Sequence, residues 1–377
     1  MRLSSLLQAV GAVAIFNIGL VTAVPSGHSN RYSHHHHEHS HGYGNSTLTK
    51  RTRQYFCDHA NSALVASVDE IKAMLTTTID RTTALEAFVR NPPAHILQHE
   101  QLLQSTFYTF EAIFGRLEYG VQSGKAADSI SRVQRILAIA TNMKTGLEGI
   151  VGNQDLEIYC SDAWLVREDR DGDIDMTNSY LYWDNRETRT EDYAENFETV
   201  HGACRDAATH YAWVNPSLSS SKTTSGRTNV MTLCQDNVAD WITRYNNGKT
   251  IESFSKQTLS GQTPQVSIDS FQGQTMSTAM MHEFTHASAI VGTPYLIDES
   301  CTLTDGSTVK AYGWFCISQL GQNAPAQAIN NADSFSIYAT AMYLSLDDWS
   351  YGYPREIPSV TNPLNTGIAA LMTHTGP

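Results

Sequence analysis

Through the stretch 52–152, apolar residues return at three- and four-residue steps, over 62–75, 84–89, 96–117 and 127–147. That period gathers them on one face of a helix, so four helical segments are expected. Asn91-Pro92-Pro93 breaks the run, because proline lacks an N–H and pushes the residue before it out of helical geometry. From 156 to 256 the rhythm changes. Residues 179–183, 210–214 and 229–234 alternate or are rich in β-formers, which predicts short strands, and 217–228 is a polar Ser/Thr/Gly loop. Val266, Ile268 and Phe271 predict an edge strand along the cleft ahead of the next helix. That helix covers 276–288, where Met276, Ala279, Met280 and Met281 are good helix formers and Gly292 is placed as the stop. Met281, Phe284 and Ala287 would seat it in a core. An irregular stretch with two cysteines follows, then two helical segments ending near Leu346. The expected class is α+β: a mostly helical N-terminal half, and a small mixed sheet beside the helix at 276–288.

Composition narrows the setting. The chain has 377 residues and a formal net charge of -13, which argues against a nucleic-acid partner, since that would need a basic face. Residues 1–23 read as a secretory signal: Arg2, an apolar run, and Val21-Thr22-Ala23 as the cleavage site. No later stretch is long and apolar enough to span a bilayer, so no membrane partner is expected. Residues 24–51 form a His-rich propeptide carrying His28, His34, His35, His36, His37, His39 and His41, the sequon Asn45-Ser46-Thr47 and the dibasic pair Lys50-Arg51. The mature domain is then 52–377, with a helical half 52–155 and a second half 156–377. Six cysteines (Cys57, Cys160, Cys204, Cys234, Cys301 and Cys316) suggest three disulfides in a secreted chain, with fifteen pairings open. Two lesser patterns are set aside. His95 and His99 repeat a four-residue step with no carboxylate at the catalytic position between them, and in the acidic stretch 168–175 the glycine comes too early for a calcium loop, with Tyr180 where the closing Glu should be.

The chemistry lies in His282-Glu283-Phe284-Thr285-His286, an H-E-x-x-H match. Residues four apart share a helix face, so His282 and His286 can present two imidazoles to one metal ion. Glu283 leans to the side, where it can act as general base toward a metal-activated water. Zinc held by two histidines needs a third protein ligand and an open fourth position. A metzincin would continue with Gly and His, but Ala289 and Gly292 occupy those positions. No Glu beyond Glu299 suits a thermolysin-like ligand.

The stretch from Asn229 to about Leu344 resembles the aspzincins, the deuterolysin and peptidyl-lysine metalloendopeptidase family of fungal secreted proteases. The resemblance is carried by Thr228-Asn229-Val230-Met231-Thr232-Leu233-Cys234, by the His282–His286 motif, by Gly292-Thr293, by Tyr312-Gly313 and by Asn331-Ala332-Asp333-Ser334. It implies a zincin-like fold, one catalytic zinc ion, and hydrolysis of internal bonds in protein or peptide substrates by a secreted monomer. In the family motif Gly-Thr-x-Asp-x-x-Tyr-Gly the Asp is the third ligand. Here Tyr295 stands at its place and an insertion separates Thr293 from Tyr312. Asp298, the nearest acid, is taken as the third ligand, with Asp305 and then Glu299 behind it. Tyr312 maps onto the family's oxyanion-stabilising Tyr, and Asp333 onto a residue lining the pocket near the metal; helix capping, or support of a ligand His, is the other role open to Asp333. Ser336 replaces an acid found in lysine-preferring members, and Phe335, Ile337 and Tyr338 suggest a more apolar wall. A secreted zinc-binding or surface protein on a catalytically decayed aspzincin fold is the alternative reading.

Overall fold

The structure is a computed structural model, and it describes residues 54–92, 100–119, 124–148, 155–167, 180–184, 193–197, 204, 212–218 and 228–357. The signal, the His-rich stretch, the sequon, the dibasic pair, His95, His99 and the acidic stretch 168–175 all lie outside these residues.

Three long helices build the first half: α1 (Asn61–Arg90), α2 (Glu100–Phe114) and α3 (Gly124–Glu148). The two segments expected at 62–75 and 84–89 are one helix of 30 residues. The threonine-rich middle of α1 does not break it, because the hydroxyls of Thr76, Thr77 and Thr78 find acceptors inside the helix and that of Thr82 pairs with the Tyr338 hydroxyl. Thr76 and Thr78 each donate to the carbonyl four residues back at 2.8 Å. Leu64, Val68, Ile71, Leu75, Leu85 and Val89 line its buried face.

The strands come next: β1 (Gln54–Phe56), β2 (Asp155–Tyr159), β3 (Leu165–Arg167), β4 (Tyr180–Asp184), β5 (Tyr193–Phe197), β6 (Ala212–Leu218) and β7 (Thr228–Leu233). A four-stranded sheet has the order β1-β2-β7-β6, and a three-stranded one the order β3-β4-β5. In the larger sheet β1, β2 and β7 run parallel while β6 pairs antiparallel to β7 at the rim. Beyond it come α4 (Gln235–Asn246), α5 (Ile251–Ser255), α6 (Met276–His286), α7 (Ser288–Val291), the hairpin β8 (Ser300–Thr302) and β9 (Thr308–Lys310), α8 (Gly313–Asn323), α9 (Pro325–Ala328) and α10 (Ala332–Tyr343). The described residues are helix-dominant with small sheets, compatible with an α+β fold.

The edge strand expected at 266–271 is not there. Ile268–Phe271 is a 3-10 turn, with Ile268 and Phe271 buried. Local bonds divert the backbone: Ser267 Oγ accepts from Asp269 N–H at 3.2 Å, and Ile268 N–H donates to the Gly352 carbonyl at 2.8 Å. The strand that packs beside α6 is instead β6. The stop expected at Gly292 also falls earlier. The helix ends at His286, Ala287 takes an extended conformation, and Gly292 (φ 78°) closes the short α7. Asn229 explains the interruption, since its Oδ1 accepts from Ala289 N–H at 2.7 Å and from Ser288 Oγ at 3.2 Å.

One hydrophobic core joins both halves, from Cys57 on the first strand's flank to Trp349 near the end of the described chain. Helix α1 packs on α2, α3, α6 and α10, so the helical half directly supports the motif helix. The cysteines pair as Cys57–Cys160, Cys204–Cys234 and Cys301–Cys316.

Candidate metal centre

Helix α6 starts at Thr275, whose hydroxyl accepts from Thr278 N–H, and Met281, Phe284 and Ala287 are fully buried as its seat. The opposite side carries His282 and His286, with ring centroids 5.2 Å apart. Their Nε2 atoms are 3.4 Å from each other. Asp298 Oδ1 completes a triangle, 3.3 Å from His282 Nε2 and 3.4 Å from His286 Nε2. Glu299 and Asp305 stay out of it: among the described residues, His282, His286 and Asp298 are the one group arranged to hold a metal ion. Asp305 caps the β8–β9 turn instead, bonded to Ser307 N–H at 2.9 Å and Ser307 Oγ at 2.6 Å.

The outer partners decide which imidazole nitrogen faces inward. His286 Nδ1 lies 2.9 Å from the Leu296 carbonyl, which can only accept, so Nδ1 carries the proton and Nε2 a lone pair. His282 Nδ1 lies 3.4 Å from Asp333 Oδ1, which selects the same tautomer. Asp298 Oδ1 is buried and has no hydrogen-bond partner. Three electron-rich atoms therefore converge on one point, an arrangement that repels itself unless positive charge sits among them. A tetrahedral ion with bonds of about 2.0–2.1 Å has face edges of about 3.3–3.4 Å, so the donor set fits zinc in both chemistry and spacing. A proton is the other way to supply positive charge. Burial lowers the pKa of His282, but Asp298 and Asp333 outweigh it and hold the ring well above its ordinary value. Burial likewise opposes the ionised Asp298, and the two imidazoles overcome it, keeping that carboxyl far below the carboxylate range.

Asp298 is placed by main-chain bonds around it. Leu296 N–H donates to the Thr285 carbonyl at 3.0 Å, tying the segment to the motif helix. Ile297 exchanges bonds with Asn330 and Ala332, at 3.0 and 2.9 Å, tying it to the start of α10. The fully buried Asn331 fixes the rest. Its Oδ1 accepts from Glu299 N–H at 3.0 Å, and its Nδ2 donates to the Ala311 carbonyl at 3.1 Å. Sequence reasoning gave Asn331 no role of its own, although it stands at the N-cap position of a recognisable helix start.

Tyr312 is half exposed, its ring edge-on to His282 at 5.7 Å, and its hydroxyl donates to Asp298 Oδ2 at 2.9 Å. Burial and the Asp298 charge raise its pKa strongly, so it remains a phenol. Glu283 is buried on the same helix, close enough for its charge to act on both His282 and Tyr312. Asp333, expected along the pocket, sits buried behind His282, and its Oδ2 accepts from Gly313 N–H at 2.7 Å. The apolar wall expected from Phe335, Ile337 and Tyr338 is not a wall. All three are fully buried in α10, and Tyr338 packs edge-on against Phe110 and Phe114. α10 is buried on every side, so its apolar residues belong to the core.

No family model matches the chain, and no curated protein does. Among solved structures, a zinc peptidase from Grifola frondosa is similar, with a TM-score of 0.26 and 14% sequence identity, over 71% of this chain and 94% of that one.

Proposed function

We propose that this protein is a secreted zinc-dependent endopeptidase that hydrolyses internal bonds of protein or peptide substrates. The observation that carries the reading is the triangle of His282 Nε2, His286 Nε2 and the unpartnered Asp298 Oδ1. A zinc ion held there supplies Lewis acidity, polarising the scissile carbonyl and lowering the pKa of a water. Glu283 takes the proton from the attacking water and delivers it to the leaving amine. A purely structural metal site has no need of such a neighbouring carboxylate. Tyr312, kept protonated, turns its single O–H from Asp298 Oδ2 to the oxyanion as that charge develops on the substrate. The extended substrate pairs along the outer edge of β6 beside α6. Three disulfides support an oxidising, extracellular setting. Among the described residues no helix is long and apolar enough to cross a membrane. The working form is a monomer, with neither nucleic acid nor membrane as partner.

Casein hydrolysis tests this, run with and without a chelator and against Glu283→Gln. Native protein should cleave and stop when chelated. The Gln variant should keep its zinc and lose about 10²–10⁴-fold in rate. If native and variant proteins bind zinc and are equally inert, the chain is a zinc-binding protein on a decayed protease fold.

A further inference from the structure

Two carboxylates from distant parts of the chain close on the first turn of α8. Asp333 Oδ2 accepts from Gly313 N–H at 2.7 Å, and Asp269 Oδ1 accepts from Trp314 N–H at 2.7 Å. These are the first two N–H groups of the helix, which have no acceptor within it. The residue at the N-cap is Tyr312, whose side chain makes no capping bond. Its hydroxyl reaches Asp298 Oδ2 instead. Gly313, at φ 74°, makes the sharp turn between Tyr312 and the helix, and a Cβ there would stand 3.5 Å from the Asp269 carboxyl. The helix start is thus held by side chains from outside while its own cap residue faces the metal centre.

We propose that Asp269 is a positioning residue for the metal centre, holding Trp314 N–H so that the first turn of α8 keeps the Tyr312 hydroxyl on Asp298. This rests on reading the triangle as a zinc site. Asp269 lies on the 3-10 turn Ile268–Phe271, just ahead of α6, so one segment leads into the helix with both histidines and also anchors the helix that presents Tyr312. A hydrogen bond to one oxygen of a ligating carboxylate orients the other, and loss of such outer partners weakens metal binding. A role limited to capping α8 would change thermal stability and leave zinc affinity alone.

The test compares Asp269→Ala, Asp269→Leu and Asp269→Asn in the full chain, each in the native and the Tyr312→Phe background. Zinc affinity is read by competition with a chromogenic chelator, alongside kcat and KM on an extended peptide. The Ala and Leu variants, which lack the acceptor, should bind zinc about 10-fold more weakly. Asn retains a carbonyl oxygen for the same N–H, so it should stay within about twofold of native. In the Tyr312→Phe background the Ala and Leu losses should shrink below about twofold, because the route through the hydroxyl is already cut. With native Tyr312, kcat should fall while KM holds. Unchanged zinc affinity in both Ala and Leu variants, or losses that persist in full in Tyr312→Phe, would overturn the proposal. Should zinc binding follow the expected pattern with no chain cleaving peptide, the peptidase reading fails and the positioning role stands. A native chain that does not bind zinc removes both.

Discussion

Two buried sites handle charge in opposite ways. In the helical half, Arg81 of α1 lies in the core with each of its three nitrogens donating to a neutral oxygen: Thr106 Oγ1 at 2.8 Å, the Met342 carbonyl at 2.9 Å and the Leu102 carbonyl at 3.1 Å. Burial pulls its pKa down to about 10, which leaves it a cation at neutral pH. It joins α1 to α2 and to the C-terminal end of α10, where a positive charge also suits the helix dipole. The metal centre is the reverse case: three acceptor atoms converge on one point, and the neighbouring Tyr312 hydroxyl bonds the other Asp298 oxygen instead. A polar group whose partners are all present is structure, and one left open where its neighbours are closed invites a ligand.

Removing a ligand should break the contrast most sharply. Asp298→Ala leaves two imidazoles, and zinc affinity should fall by more than about 100-fold, beyond what loss of an outer partner does. Its metal-free form should also be less stable than metal-free native protein near neutral pH, because the carboxylate that the two imidazoles hold ionised, and that accepts from Tyr312, has gone. Isothermal titration and thermal melts with and without chelator check both halves. Arg81→Ala should do the opposite. It removes three hydrogen bonds that tie α1 to α2 and α10 and should cost about 3 kcal/mol of stability, with or without zinc, while zinc affinity in the folded protein holds. Urea unfolding in both states reads this; a loss confined to the zinc-bound protein would remove the distinction.

The same contrast governs what was legible in the sequence. His282, Glu283 and His286 could be read because four residues make a helical turn, and local spacing survives any tertiary arrangement. The long helices were legible through their period, apart from the threonines of α1, of which Thr76, Thr77 and Thr78 bond within the helix. Asp269, Asn331 and the Asp333 carboxylate behind His282 act across 20 to 60 positions, and no local pattern marks such partners. The 3-10 turn at Ile268–Phe271 was misread because alternating apolar residues fit a strand until serine and glycine contacts override them. Likewise, apolar residues beside Asp333 do not reveal whether they face a pocket or a core.

A smaller effect separates the two histidines. His286 is backed by a peptide carbonyl that no substitution at Leu296 removes, whereas His282 is backed by the Asp333 side chain. Asp333→Asn keeps an acceptor but loses the charge, so zinc affinity should fall by about 10-fold, at the lower end for an outer partner. Asp333→Leu should lose more, since it also releases the Gly313 N–H. Equal affinities across the three proteins would mean that main-chain geometry alone orients His282.

The gentlest probe is pH, and its sign differs between the metal-free and metal-bound protein. In the metal-free chain the folded state holds His282 above its ordinary value of 6.5, so the folded state binds the proton more tightly than the unfolded one does. That contribution to stability is fully present below about 6.5 and is lost as pH rises through the raised folded value. Zinc replaces the proton. Its affinity should rise over the same interval, because the imidazole must be deprotonated to bind. Melting temperatures in chelator should therefore gain a downward component with pH that His282→Gln removes, while the increment produced by zinc grows. An increment that shrank with rising pH would place the cation somewhere other than among the imidazoles.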